Sequence, residues 1–541
     1  MAYAEQYSDK QVLIIDDMPD MRSSLRSQIA SLAIEKVGVA ATVREALDQI
    51  RKRKFDIILC DYYLGSGTDG QQFLEYLRTA GIISRATLFI MVTAETGYES
   101  VITAAECLPD DYLLKPFTAE TLRSRFERLL EKKARLAAID RLQDQGRWQE
   151  IIPACDAIIA AKDKYLIDAM RIKGNALVMT RQFEAAREFY EKALALRPLP
   201  WARLGLARAE RGLGNSDKAK QVLGQIVAEN PNFLSAYDML GHIHMEEGDA
   251  EQALAVLDSA CSVSPNSLTR HRAIAAIAED AADFGRVEKA LSVVVQKTRN
   301  SPLRSSADYA RLGNALTELG DAGRAVEVLG EAKTSFKEPG DARLLAAVEA
   351  VAQQKAGNQE AAREALGRAL EGGAKGLPEA AALAVAKACL VHGKQDEATD
   401  ILRDVIQNNP DAAGVHARVH AVMKEHGGEE ASQRLIEMSV KEIIQLNNAA
   451  VEKARAGAVA EASRMLSEAA ARLPNNLQVV ANASYCLLVD VFQNGIDAAK
   501  LREAQALQQA VVAKNCNYPK LADIADVMGK IQAKYGSGAN A

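Results

Sequence analysis

The segment VLIIDD, residues 12–17, decides the fold of the first part of the chain. Its four apolar residues run directly into two carboxylates, which is typical of a short strand that is buried on both faces and ends at a polar edge. The segment IILCD, residues 57–61, repeats this arrangement and also ends on a carboxylate. Because strands of this kind belong to parallel sheets covered by helices, the two segments predict an α/β domain.

Further strand and helix candidates alternate around these two segments. LFIM at 88–91 and YLL at 112–114 predict two more strands, and KVGVA at 36–40 predicts a weaker one. Helical spacing of apolar residues fills the intervals at 20–33, 43–53, 70–80 and 97–107 and continues from 118 onward. Five strand–helix units of this kind predict a doubly wound, five-stranded parallel sheet in the order 2-1-3-4-5.

Three carboxylates are expected to meet at one edge of this sheet. Asp16 and Asp17 follow the first strand and Asp61 ends the third, and in this strand order ligands bind between the carboxyl ends of those two strands. Clustered carboxylates repel one another unless a cation neutralises them, and oxygen ligands suit Mg²⁺. Thr93 after the fourth strand and Lys115 after the fifth add a hydroxyl and an ammonium to the same rim. Together these side chains predict a phosphoryl-transfer site.

The same residues resemble the receiver domain of two-component response regulators over about residues 10–130. The matching elements are IIDD at 14–17, Asp61 after its apolar run, MVTAE at 91–95 and YLLKPF at 112–117. The resemblance implies a flavodoxin-like receiver in which Asp61 accepts a phosphoryl group from a histidine kinase or a histidine phosphotransfer protein.

The resemblance also implies roles for individual residues. The implied Mg²⁺ ligands are Asp16, Asp17, Asp61 and the backbone carbonyl of Tyr63. Lys115 and Thr93 would bind phosphoryl oxygens, Tyr112 would move with Thr93, and the Lys115–Pro116 bond would be cis. The loop after the acceptor differs from the family pattern, since Gly65 stands where proline is common.

From about residue 136 the strand pattern stops and a helical repeat begins. Each unit has a small residue in its first helix, a glycine at the turn and an alanine five residues later. The marker alanines are Ala186, Ala219, Ala253, Ala290, Ala325, Ala362 and Ala398. Their spacing of about 34 residues resembles that of tetratricopeptide repeats, which stack helix pairs into an all-α solenoid with a concave surface.

These patterns predict three parts of the chain. Residues 1–135 are expected to form the receiver, residues 136–480 the tetratricopeptide solenoid, and residues 481–541 capping helices and a short disordered tail. Because no proline or glycine occurs from Thr118 to Gln145, one helix is expected to join the first two parts without a flexible linker.

Composition excludes several classes of function. Of 541 residues, 66 are basic and 72 acidic, and residues 1–135 alone carry 18 basic and 20 acidic side chains, so neither part has the basic excess of a nucleic-acid-binding domain. No apolar run is long enough to span a membrane, and residues 1–10 lack a signal-peptide pattern, so a cytoplasmic location without a membrane partner is expected.

The sequence thus favours a non-enzymatic response regulator that uses Mg²⁺. Phosphorylation of Asp61 would modulate the binding of a protein ligand by the solenoid, a ligand whose identity the sequence does not reveal. The alternative is a phosphate sink or competitor that limits phosphotransfer to another regulator.

Overall fold

The computed structural model describes residues 9–65, 69–94, 109–299, 301–373, 377–424, 428–515 and 518–536. The chain divides into two compact units, Met1–Asp308 and Tyr309–Ala541. The predicted helix at 97–107 and residues 537–541 of the predicted tail lie outside the described residues. The domain boundaries expected at residues 135 and 480 stay predictions.

Five parallel strands form one sheet in the order β2-β1-β3-β4-β5. The strands are β1 (Gln11–Ile15), β2 (Lys36–Ala40), β3 (Ile57–Asp61), β4 (Leu88–Thr93) and β5 (Asp111–Leu114). The register sets Ile15 of β1 beside Cys60 of β3, so the ends of these two strands lie at the same edge. The predicted α/β class and strand order are confirmed.

Helices cover both faces of the sheet because each strand sends alternate apolar side chains to opposite sides. The helices of this domain are α1 (Pro19–Ala30), α2 (Val43–Lys52), α3 (Gly70–Thr79) and α4 (Ala119–Asp144). Leu13 and Ile58 pack in one buried cluster with α2 and α3. Ile14 and Leu59 pack in the other with α1 and α4. This is the predicted three-layer arrangement.

Helix α4 continues without interruption for 26 residues, as the sequence predicted. Its first half belongs to the core of the α/β domain through Leu122 and Phe126. Its second half packs Leu136 and Ile139 against the next two helices of the chain. The α/β domain and the first repeats therefore share one helix.

The remaining described part of the chain is a series of helices. Within Met1–Asp308 they are α5 (Trp148–Ala160), α6 (Leu166–Met179), α7 (Phe183–Leu196), α8 (Pro200–Gly212), α9 (Ser216–Glu229), α10 (Leu234–Glu246), α11 (Ala250–Val263), α12 (Leu268–Asp280) and α13 (Phe284–Thr298). From Ser306 onward they are α14 (Ser306–Glu318), α15 (Ala322–Lys333), α16 (Pro339–Lys355), α17 (Gln359–Leu370), α18 (Glu379–Val391), α19 (Gln395–Asn408), α20 (Ala413–Lys424), α21 (Gly428–Arg455), α22 (Val459–Arg472), α23 (Leu477–Asn494), α24 (Ala498–Lys514) and α25 (Lys520–Tyr535).

The small residues of the repeat pattern lie where paired helices touch. All seven marker alanines are at most 4% exposed. At Gly205 of α8 a Cβ atom would lie 2.1 Å from the Tyr190 ring, so only glycine admits that ring. Gly248 ends α10 with φ +78°, a left-handed conformation that glycine adopts without strain. The repeat pattern is thus a packing pattern.

No helix in the described part of the chain is long and apolar enough to cross a membrane.

Candidate functional site

The strand ends bring the predicted carboxylates together. Asp16 follows β1 directly, and Asp61 is the last residue of β3. One carboxylate oxygen from each of Asp16, Asp17 and Asp61 lies within 4.8 Å of the other two. Among the described residues this is the one group of three or more acidic, histidine or cysteine side chains with the spacing of metal ligands.

Lys115 bridges two of these carboxylates from the end of β5. Its Nζ atom donates to Asp16 Oδ2 at 3.0 Å and to Asp61 Oδ2 at 3.1 Å. The Lys115–Pro116 bond is cis, as the resemblance implied. Burial lowers the pKa of Lys115, but the hydrogen bonds and charges of Asp16 and Asp61 outweigh it and raise the pKa overall. Lys115 is therefore a fixed cation between two anions.

Asp61 is nearly enclosed, with a side chain that is 11% exposed. Burial raises its pKa, and the hydrogen bond and charge of Lys115 offset only part of that rise. Asp16 is held from both sides, since its carboxylate accepts from the Met18 amide at 2.9 Å and its carbonyl accepts from Arg22 Nη1 at 2.6 Å. These contacts fix the orientation of the site before any ligand arrives.

The donor set fits Mg²⁺. Lys115 pairs with two of the three carboxylates, so the described cluster carries an excess of negative charge. Hard oxygen ligands of this kind bind Mg²⁺ and leave positions for water and phosphate oxygens. Asp17 is exposed, which leaves one side of the cluster open to solvent.

The other predicted site residues lie around this cluster. Thr93 ends β4, is 2% exposed, and accepts at its carbonyl from the Lys115 amide at 2.7 Å. Tyr112 lies on β5 beside Met91 and packs against the core, and burial raises its pKa to about 12. Tyr63 is 50% exposed, and its ring meets the Tyr62 ring edge-on at 5.0 Å between centroids. The metal role of the Tyr63 carbonyl and the switch role of Tyr112 stay predictions.

Helix α3 adds contacts that the sequence interpretation missed. Asp69 and Gln72 form a reciprocal capping box at its start. The Gln72 side-chain amide also donates to the carbonyl of Asn266 at 2.8 Å, and the Thr269 hydroxyl donates to Glu75 at 2.7 Å. The D-x-x-Q spacing could have revealed the cap. No local pattern marks the contacts with residues 194 positions away.

Comparison with known proteins identifies both the α/β part and the helical repeats of the chain. The family model described as the response regulator receiver domain matches residues 12–127, and two tetratricopeptide repeat models match residues 177–241 and 234–267. Curated relatives that match the first part of the chain include two chemotaxis proteins. CheY-3 of Vibrio cholerae is 29% identical over 121 residues, which are 22% of this chain and 92% of that protein. CheY of Pseudomonas aeruginosa is 28% identical over 121 residues, which are 22% of this chain and 96% of that protein.

A solved structure of Vibrio cholerae CheY4 is also similar to the first part of the chain. It shows 29% identity, a TM-score of 0.20, and coverage of 22% of this chain and 98% of that one.

Proposed function

We propose that Asp61 accepts a phosphoryl group and that its phosphorylation modulates protein binding by the repeats. The premise is that this chain contains a response regulator receiver domain followed by tetratricopeptide repeats. The observation that carries the proposal is the cluster of Asp16, Asp17 and Asp61 with Lys115 bound to two of its members. The phosphoryl donors are a histidine kinase or a histidine phosphotransfer protein.

The site residues divide the work of phosphoryl transfer. An Asp61 oxygen attacks the phosphorus atom, a new P–O bond forms, and the bond from phosphorus to the donor nitrogen breaks, leaving the electron pair on the donor histidine. Lys115 and the Thr93 hydroxyl would stabilise the phosphoryl oxygens, since charge neutralisation and positioning supply most of the catalysis in this chemistry. Asp16, Asp17 and Asp61 would hold Mg²⁺, which would offset the repulsion between carboxylate and phosphoryl oxygens.

Two contacts favour an output through the repeats over a simple phosphate sink. Helix α4 is shared by the receiver core and the first repeat helices. Helix α3, which begins nine residues after the acceptor, hydrogen-bonds to Asn266 and Thr269. A sink would need neither contact, whereas a regulated binding protein needs a physical path from the acceptor to the repeats.

Intact-mass measurement after incubation with acetyl phosphate and Mg²⁺ tests the acceptor. We expect one phosphoryl increment on the wild-type chain, none on Asp61→Asn, and none on the wild type in the presence of EDTA. Asp56→Asn is the matched control, because Asp56 stands at the other end of the same strand, where it accepts from the Gln11 amide at 2.8 Å. A full increment on Asp61→Asn would show that another residue is the acceptor.

A further inference from the structure

A cavity lies between the receiver and the first repeats. Its volume is about 930 Å³, which falls in the range of pockets that enclose a ligand. The receiver lines it with Tyr62 and the first turns of α3, and the repeats line it with α6, α8, α10 and α12. All of these elements belong to the compact unit Met1–Asp308.

The repeat wall of the cavity presents a row of polar side chains. Asn175, Arg208 and His242 lie 33 and 34 residues apart, which is the repeat period, so they occupy equivalent positions on α6, α8 and α10. Each can donate a hydrogen bond. Equivalent positions in stacked repeats form a line along the groove, which suits an extended segment of polypeptide.

The charges of the two walls are opposite. The described repeat wall holds four arginines and two carboxylates, and the receiver wall holds two carboxylates and no cation. The arginines are Arg181, Arg208, Arg211 and Arg270, the repeat carboxylates are Asp238 and Glu246, and the receiver carboxylates are Asp69 and Glu75. An acidic edge of the receiver therefore faces a basic groove, and Lys297 of α13 adds to the attraction on Asp69.

Helix α3 borders this cavity with polar side chains that are buried in the structure. Gln71 and Gln72 are 7% and 5% exposed. Gln72 donates to the Asn266 carbonyl, and Glu75 accepts from the Thr269 hydroxyl. Glutamine and glutamate are seldom buried on a helix surface without partners, so this face of α3 is built for a polar neighbour.

The start of α3 is also tied to the acceptor residue. The Gly70 amide donates to the Tyr62 carbonyl at 2.8 Å. A Cβ atom at Gly70 would lie only 2.3 Å from the Asp61 carbonyl oxygen, so the helix start and the acceptor backbone are in close contact. Because packed contacts of this kind transmit a displacement, a change at Asp61 reaches α3 directly.

We propose that helix α3, which is held to Asn266 and Thr269 at the start of α12, is an internal competitor for the basic groove formed by α6, α8, α10 and α12, and that an acidic segment of a partner protein binds this groove when α3 is displaced. The proposal rests on the proposed function for the trigger, since phosphorylation of Asp61 would supply the displacement. The occupant is acidic because the side chains that α3 presents there are Asp69 and Glu75, and the opposite wall is basic.

Binding of a fluorescein-labelled hexaglutamate peptide, followed by anisotropy with the full chain, tests the proposal without phosphorylation. Thr269→Val removes the hydroxyl that donates to Glu75 and leaves the receiver sequence intact. Glu75→Gln removes the charge from the other side of the same contact. We expect each variant to bind the peptide about tenfold more tightly than the wild type, because the open groove becomes the common state. Thr399→Val is the control, since the described hydrogen bond of its hydroxyl stays within α19.

Two further experiments test the binding groove and the phosphorylation trigger separately. Arg208→Gln combined with Thr269→Val should lose the gained affinity, which locates the peptide on the repeat wall. Beryllofluoride with Mg²⁺, a stable analogue of the phosphoryl group, should raise the affinity of the wild type and leave Asp61→Asn unchanged. If the beryllofluoride arm alone fails, the proposed trigger is wrong and the competitor role stands.

Equal peptide affinity in the wild type, Thr269→Val and Glu75→Gln would overturn the competitor role of α3. Absence of peptide binding by all forms would overturn the acidic occupant. Amide hydrogen exchange gives an independent readout, since both opening variants should lower protection in α3 and in the first turn of α12 relative to Thr399→Val.

Discussion

Asp61 in the receiver shares one lysine with Asp16, whereas Glu349 in the repeats is held between Lys333 and Arg368. The repeat carboxylate is 7% exposed and has two cations for one anion. The receiver cluster has three anions for one cation. A buried charge that is fully compensated supports a fold, while an uncompensated cluster is prepared for a ligand that brings the missing charge.

Glu318 shows that the compensated arrangement recurs in the repeats. It pairs with Lys355 at 2.9 Å and with Lys387 at 3.1 Å. Burial opposes ionisation of Glu318, but the two lysines outweigh burial and lower its pKa. The pKa of Asp61 is raised instead, because burial raises it by more than the hydrogen bond and charge of Lys115 lower it. The two directions thus distinguish Asp61 from Glu318.

Of the substitutions that test this comparison, Lys115→Ala should have the largest effect. Removal of the cation leaves Asp16 and Asp61 with no described ammonium partner and removes a donor to the phosphoryl oxygens. We expect the rate of phosphorylation by acetyl phosphate to fall about a hundredfold, in the range for loss of one preorganised donor. The measurement is the initial rate of the intact-mass increment, with Lys355→Ala as the control because that lysine pairs with a repeat carboxylate. A rate within twofold of the wild type would contradict the role of Lys115.

Glu349→Gln tests the repeat side of the comparison. The change leaves Lys333 and Arg368 without their shared anion, and both cations are more than a third exposed, which limits the cost. We expect the local opening free energy of α16 to fall by about 2 kcal/mol, as judged by native-state hydrogen exchange. Mg²⁺ affinity should not change. A weaker Mg²⁺ affinity in Glu349→Gln would remove the distinction between structural and functional acids.

Asp17→Asn tests whether the carboxylate of Asp17 serves to bind the cation. Asp17 is the exposed member of the cluster and makes no described ion pair, so its charge serves the cation more than the fold. We expect Mg²⁺ affinity, measured by calorimetry, to fall about tenfold, which corresponds to about 1.4 kcal/mol. Thermal stability without Mg²⁺ should stay the same or rise, because one repulsive charge is gone. A clear loss of stability in the metal-free variant would show that Asp17 supports the fold.

Asp69→Asn should give the smallest effect and concerns a third kind of acid, one stabilised by backbone amides. Burial raises the pKa of Asp69 to about 6. Ionisation of Asp69 therefore destabilises the folded state, and this destabilisation is absent near pH 4 and complete above pH 6. Protection of α3 in the wild type should therefore fall by about 1 kcal/mol between pH 4.5 and 7.5 relative to Asp69→Asn, which still caps the helix. Parallel pH profiles for the two proteins would show that Asp69 is not the titrating group.

Much of this arrangement could be predicted from the sequence because it depends on local patterns. The apolar runs of β1 and β3 fix the sheet, and strand ends carry Asp16 and Asp61 to one edge whatever the loops do. The marker alanines are buried because a repeating helix pair needs a small residue at each crossing. These features follow from periodicity alone.

The contact of α3 with the repeats could not be predicted in this way. Gln72 and Asn266 are separated by 194 residues, and neither belongs to a motif. Their meeting depends on the path of α4 and on the summed rotation of every repeat before α12. Sequence periodicity gives the existence of each helix but not the accumulated angles between them.

Because helix α4 is shared, the number of residues in this helix is itself a determinant of regulation. A residue added in an α-helix advances the following structure by about 1.5 Å and turns it by about 100°. One alanine inserted between Leu129 and Leu136 would therefore rotate the faces that serve the receiver and the repeats out of phase, although neither core loses a side chain. Substitutions on the exposed side of this segment would leave that phase unchanged. Evolution of this protein is thus expected to tolerate changes of identity in the middle of α4 more readily than changes of length.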